Sequence, residues 1–225
     1  MQRHFDEQIQ ELLERLVLMG RLAESMIQIA LRSLIERDEA LFEEVSRKEA
    51  EVNELQMEID DRAVKLTALQ QPVGSDVRLL FMASRIASEL ERIGDQAVNI
   101  CQNTHHVLQA PPLKPLVDLP RMGEVAELMV RNGIKALVAR DCDLADLVLS
   151  DEQEVDAFRD HIFRVLLTYM MADPGTIERA LALILISRNL ERVGDHATNI
   201  AEEVIYLVAG REVRHRRESK ARRSE

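Results

Sequence analysis

The sequence predicts an all-α protein built as two tandem, duplicated three-helix bundles, six long helices in all, and three observations carry that prediction. The first is an internal repeat. Leu90, Glu91, Arg92, Ile93, Gly94, Asp95, Gln96, Ala97, Val98, Asn99 and Ile100 return one hundred positions later as Leu190, Glu191, Arg192, Val193, Gly194, Asp195, His196, Ala197, Thr198, Asn199 and Ile200. Upstream, an offset of 103 aligns Met19-Gly20 with Met122-Gly123, Ala23-Glu24 with Ala126-Glu127, Arg37-Asp38 with Arg140-Asp141, and Glu49 and Val52 with Glu152 and Val155. The three-residue change of offset predicts a shortened loop between positions 162 and 190. The second observation is apolar residues spaced three and four apart over long stretches, the period of a half-buried helix. The third is composition. Eight glycines and six prolines in 225 residues leave little sequence for turns, and 31% charged residues beside a core with only 3% aromatics and no Trp point to long aliphatic helices.

Each element follows from its pattern. Leu12, Leu16, Met19, Ala23, Met26, Ala30 and Ser33 or Leu34 make one stripe on a first helix over about 6–37. Asp38, followed by Glu39, resembles an N-cap and starts a second helix with Leu41, Val45, Val52, Leu55, Ile59, Ala63 and Leu66. Gln71, Pro72, Val73, Gly74 and Ser75 form the turn that ends it. A third helix runs from about Asp76 to near Leu108. Pro111, Pro112, Pro115 and Pro120 stop it and make 110–120 the one plausible linker. The order then recurs over about 120–140 and 141–171, with a break at Asp173, Pro174 and Gly175 and a last helix to about Ala209. Residues 1–109 are thus the first repeat, 110–119 a proline-rich linker, 120–210 the second repeat and 211–225 a basic tail expected to be disordered. Helices of thirty residues are roughly 45 Å long, which favours two bundles lying side by side. A single fused six-helix bundle is the alternative.

The charge excludes some functions. Net charge is −11, and the last fifteen residues alone carry seven Lys or Arg against three acids. An acidic body lacks the clustered cations that give non-specific nucleic-acid affinity. His4, Phe5, Asp6, Glu7 and Gln8 are polar where a secretory signal needs an apolar run, and the longest apolar run, 180–186, is far too short to span a bilayer. Cys101 and Cys142 sit at unrelated places in the two copies, form no metal or redox spacing, and read as reduced thiols of a cytoplasmic protein. No phosphate-binding glycine loop, nucleophile–base pairing or zinc spacing supports catalysis. The expectation is a protein that is not an enzyme.

The candidate chemistry lies in paired acidic stripes. Glu91, Asp95 and Asn99, and their counterparts Glu191, Asp195 and Asn199, follow at i, i+4, i+8 beside the core stripe Ile86, Leu90, Ile93, Ala97, Ile100 and its equivalent Ile186, Leu190, Val193, Ala197, Ile200. Like charges at i, i+4 cost about 0.2–0.5 kcal/mol in an isolated helix. Gly94 and Gly194 cost about 1 kcal/mol each in a helix interior, and close helix approach is the expected reason. On the second helices, Glu49 and Asn53, and Glu152 and Asp156, are also i, i+4. An antiparallel neighbour brings four oxygen side chains together, a set suited to hard cations. The di-iron Glu-x-x-His pattern occurs only at Glu212 and His215, in the tail. The bland reading is a solvated acidic face neutralised by Arg92 and Arg192. The histidines read as surface or satisfied groups, with His196, next to Asp195, the strongest exception.

The segments LERIGDQAVNI and LERVGDHATNIAEEVIYLVAG, with LQQPVGSDVRLL upstream, resemble the PhoU family of bacterial and archaeal phosphate-signalling proteins, and the resemblance runs to about Gly210. It implies two three-helix bundles. It also implies a cytoplasmic, often dimeric regulator that couples the ATPase subunit of the phosphate ABC transporter to a sensor histidine kinase and represses the phosphate-starvation response. Some family members bind iron or other metal clusters through Glu/Asp-x-x-x-Asp motifs. Here these fall on Glu91/Asp95, Glu191/Asp195 and Glu152/Asp156, and Glu49/Asn53 departs by carrying an amide. A metal-buffering protein and a purely structural dimeric bundle are the alternatives.

Overall fold

In the computed structural model the described residues are 2–211, so the basic tail from 212 onward, with its Glu212 and His215, lies outside them. Six helices follow in order: α1 (Gln2–Glu36), α2 (Leu41–Gln70), α3 (Ser75–Leu108), α4 (Asp118–Ala139), α5 (Cys142–Ala172) and α6 (Ile177–Ala209), with one 3-10 turn, Pro174–Thr176, before α6. The predicted stripes are the buried faces. Leu12, Leu16, Met19, Ala23 and Met26 on α1, the Ile86 to Ile100 stripe on α3 and the Ile186 to Ile200 stripe on α6 are all inaccessible to solvent.

Each copy is an antiparallel three-helix bundle, and the two bundles lie side by side. The seam has two helix pairs, α3 with α6 and α1 with α4. Both run antiparallel. Arg78 at the start of α3 reaches the Tyr206 and Leu207 carbonyl oxygens at the end of α6, Arg85 pairs with Glu203 at 2.9 Å, and Glu89 meets His196. The core is continuous across the seam.

Four local expectations are corrected. Asp38 does not cap α2: its Oδ1 accepts from the Ala40 amide at 2.9 Å, and α2 begins one residue later, at Leu41. Its repeat equivalent Asp141 does cap α5, accepting from the Asp143 and Leu144 amides at 2.9 and 3.0 Å. Pro120 lies inside the first turn of α4, where its missing N–H has no intrahelical acceptor to lose. The connection before α6 is no shorter than the one before α3, four residues each. The three missing residues come off the end of α5 and the start of α6.

The fourth correction concerns close approach. A Cβ on Gly94 would meet Met26 at 3.4 Å, and one on Gly194 would meet Val155 at 3.4 Å, ordinary contact distances. The tightest approaches are at Gly20, where a Cβ would sit 2.7 Å from Cγ1 of Ile134, and at Gly123, where it would collide with Cδ1 of Leu31. Both lie on the α1–α4 seam.

The αL residues at two helix ends are arginines. Arg37 (φ 58°) and its equivalent Arg140 (φ 53°) adopt the left-handed conformation that L side chains disfavour by roughly 1–2 kcal/mol. At Arg37 the guanidinium offsets that cost by donating to the carbonyl oxygens of Leu108 and Ala110 at 3.0 and 2.8 Å, which ties the end of α1 to the end of α3.

Candidate functional site: two acidic stripes and the histidine between them

In the first copy Val52 packs against Gly94, which sets α2 beside α3 at the level of the acids. Glu49 is close enough to Glu91 for its charge to matter. Loss of hydration raises the Glu91 pKa first, and the charges of Asp95 and Glu49 raise it further against Arg92. Asn53 stands one turn beyond Glu49 and is half-buried. The structure thus brings Glu49, Glu91 and Asp95 into one acidic patch.

The second copy repeats the arrangement, with Val155 against Gly194. The Asp195 pKa is raised, by loss of hydration first, then by the charges of Glu191, Glu152 and Asp156. The other three predicted residues therefore all bear on Asp195. A residue the sequence reading passed over changes their chemistry. Arg159 on α5 places its guanidinium on Asp156 at 3.1 Å and on Glu191 across the helix pair, while also holding Asp160 at 2.9 Å. The repeat pattern held the signal: Arg159 aligns with Gln56.

Neither stripe is arranged as a ready chelate. Among the described residues no three His, Cys, Asp or Glu side chains converge as metal ligands. In the second copy the donor set does not fit a resident metal, because Arg159 already neutralises two of its carboxylates. The first copy has no cation at that position. Its crowded carboxylates, with the Asn53 amide nearby, keep a donor chemistry compatible with a hard cation.

Between the stripes, His196 Nδ1 lies 2.8 Å from Glu89 Oε2, and Asn199 donates its amide to the same oxygen at 3.1 Å. Burial pushes the Glu89 pKa up, but the His196 and Asn199 hydrogen bonds with the His196 and Arg92 charges outweigh it, and the carboxyl is held below its ordinary value. His196 also bears on both Glu91 and Asp195. The expected satisfied histidine is thus a link across the seam. Glu89 itself escaped the sequence reading because its equivalent is Asn189 and it lies just outside the repeated motif. Of the other histidines, His105 pairs with Glu39 at 3.0 Å. Cys101 and Cys142 are free thiols, and burial pushes Cys101 up to about 12, out of the reactive range.

A duplicated all-helical bundle with an acidic stripe on the third helix of each copy defines a tandem-repeat class, and the comparisons give its family. The PhoU domain family matches residues 16–104 and again 119–204. A phosphate-specific transport system accessory protein PhoU homolog of Pseudomonas putida is 36% identical over 214 residues, covering 95% of this chain and 84% of that protein. One from Zymomonas mobilis is 37% identical over 216 residues, covering 96% and 91%. The crystal structure of PhoU from Pseudomonas aeruginosa superposes with a TM-score of 0.87 at 35% identity, covering 92% of this chain and all of that one. The phosphate transport system regulatory protein PhoU from Streptococcus pneumoniae superposes at 0.84 with 25% identity, covering 93% and 99%. The chain belongs to the PhoU family.

Proposed function

We propose that this protein is an accessory regulator of phosphate transport that works by docking, not by catalysis. The observation that carries the reading is its match along nearly its whole length to proteins named as accessories of the phosphate-specific transport system. In the finer form of the proposal it acts in the cytoplasm, couples the ATPase subunit of the phosphate ABC transporter to a sensor histidine kinase, and represses the phosphate-starvation response. No described helix is long and apolar enough to cross a membrane, so contact with the transporter would run through protein partners. Exposed apolar side chains at the α2–α3 end, Val64, Leu69, Val73 and Phe81 among them, offer a surface for such a partner or for a second copy in a homodimer. The test is capture of the purified protein by the transporter ATPase or the kinase, with and without phosphate and divalent metal. Failure to bind either partner under every condition would sink the proposal.

A second reading, cation binding, is favoured by the crowding of Asp95 and Glu49 on Glu91, where Arg92 lends its charge but no arginine bridges the carboxylates among the described residues as Arg159 does in the second copy. On this reading the first copy loads iron or another hard cation and the second does not. Elemental analysis of the untagged protein beside Asp95→Asn and Asp195→Asn decides it: metal lost only with Asp95 supports the reading, and no metal in any of the three removes it.

A further inference from the structure

At one end of the α1–α4 seam the chain's own linker lines a small pocket with Leu34 and Ile35, and at the other end lies a larger cavity. At the centre of the seam Arg131 bridges Glu24 and Glu127, and Gln28 donates to Glu127 at 2.7 Å. Towards the start of α1 and the end of α4 the helix pair carries the larger cavity, of about 620 Å³, over the close approach of Gly20 and Ile134. Its floor and walls are apolar, from Val17, Ile134, Val138 and Ala139, and Arg21 and Lys135 stand on its rim. The volume is that of a small-molecule site.

Charge is what makes this cavity specific. Arg21 and Lys135 make no ion pair or hydrogen bond with any described residue, in a chain whose net charge is −11. The one acid in the lining, Glu24, is engaged by Arg131. At the other end of the same helix pair the repeat-equivalent residues are different. Glu124 replaces Arg21, Glu36 replaces Ala139, and Arg32, the counterpart of Lys135, is neutralised by Glu36 at 3.8 Å. There the linker residues Pro112 to Leu116 lie beside Leu34 and Ile35. The repeat therefore does not account for two unpaired cations over an apolar trough.

We propose that this cavity binds a small amphiphilic anion, an aliphatic chain ending in a carboxylate or a phosphate, with the chain along the α1–α4 floor and the head between Arg21 and Lys135. Both cations are exposed, so their attraction for the head weakens with added salt. Only the apolar floor distinguishes such a ligand from inorganic phosphate.

The test is calorimetric titration of the full-length protein with decanoate, decyl phosphate, decylammonium and inorganic phosphate, each alkyl probe below its micellar concentration. The expected result is saturable binding of one or both alkyl anions, with the tighter of the two naming the head group. Arg21→Gln/Lys135→Gln should weaken it at least tenfold. Val138→Trp, which fills the trough and leaves both cations in place, should abolish it, with helical circular dichroism unchanged in both variants. Equal binding of decylammonium, equal binding of inorganic phosphate, or undiminished binding by the double variant would each overturn the proposal, as would no binding of either alkyl anion.

Discussion

The two copies share a backbone plan and differ in where they place positive charge. At three repeat-equivalent positions the first copy has glutamine and the second a basic side chain: Gln28 and Arg131, Gln56 and Arg159, Gln96 and His196. Each of these second-copy side chains holds carboxylates on two elements or across the seam. The glutamines do less. Gln28 makes one hydrogen bond to Glu127, and Gln96 donates to the Arg92 carbonyl oxygen at 3.3 Å while its own buried oxygen finds no donor among the described residues. The lesson is that the duplicated apolar pattern preserved the fold while polar positions were free to specialise. Both copies supply ties between the bundles, Arg85 to Glu203 from the first and Arg131 to Glu24 from the second, but only the second copy's acidic stripe is bridged by an arginine among the described residues.

The largest effect is expected at Arg131. Arg131→Gln leaves Glu24 and Glu127 facing each other across the seam without a cation, and because all three groups are only partly buried the expected loss is about 2 kcal/mol in urea unfolding at neutral pH. Glu127 already has a raised pKa, from burial first and Glu24 in part. A raised carboxyl favours the fold below its unfolded pKa and loses that contribution as pH rises, so the deficit should shrink in acid. Adding Gln28→Arg moves the cation to the equivalent position and should recover most of the loss. A double variant no better than the single would break the equivalence of the two positions.

His196→Gln comes next. It removes one of two hydrogen bonds that stabilise ionised Glu89, an expected cost of about 1–2 kcal/mol at pH 7. Because the Glu89 pKa is lowered, its contribution is present above the unfolded value and disappears as pH falls through the folded one. Wild type and variant should therefore converge in stability as the pH falls below the ordinary glutamate range, as read by thermal unfolding across pH. Parallel curves would show that the histidine acts by packing alone.

Arg159→Gln makes the second stripe like the first. Its pairs are half-exposed, so the stability loss should be within about 1 kcal/mol, and the sharper readout is metal uptake by the second copy. The smallest effect is a gain. Asp195 has a raised pKa, so its charge opposes folding as pH rises through that value. Asp195→Asn should raise the melting temperature slightly at pH 7, by an amount that shrinks in acid, and a lower melting temperature would mean that the aspartate makes a favourable contact.

Apolar periodicity and the repeat made the fold legible, because burial writes itself into residues three and four apart. The same repeat located Glu49, Glu91 and Asp95 as one patch and Glu152, Asp156, Glu191 and Asp195 as another. What it hid was everything that depends on which helix faces which. Arg159 is an ordinary surface residue until α5 and α6 are set side by side, and Glu89 finds its hydrogen bonds in the other copy, with His196 and Asn199. The glycines show the same limit. Gly94 and Gly194 stood out inside a motif, yet Gly20 and Gly123 are the ones pressed against a neighbouring helix, and only the α1–α4 pairing reveals it.

That pairing has a consequence for how this molecule can vary. Gly20 meets Ile134 as Gly123 meets Leu31, and Glu24 faces Glu127 across a shared centre. Residue i against j, and the equivalent of j against the equivalent of i, is the contact rule of an isologous two-fold dimer, realised here within one polypeptide. In a homodimer any substitution near the axis is imposed twice, so an arginine introduced there faces its own copy. A tethered pair escapes that symmetry, and one half can supply the base while the other supplies the amide.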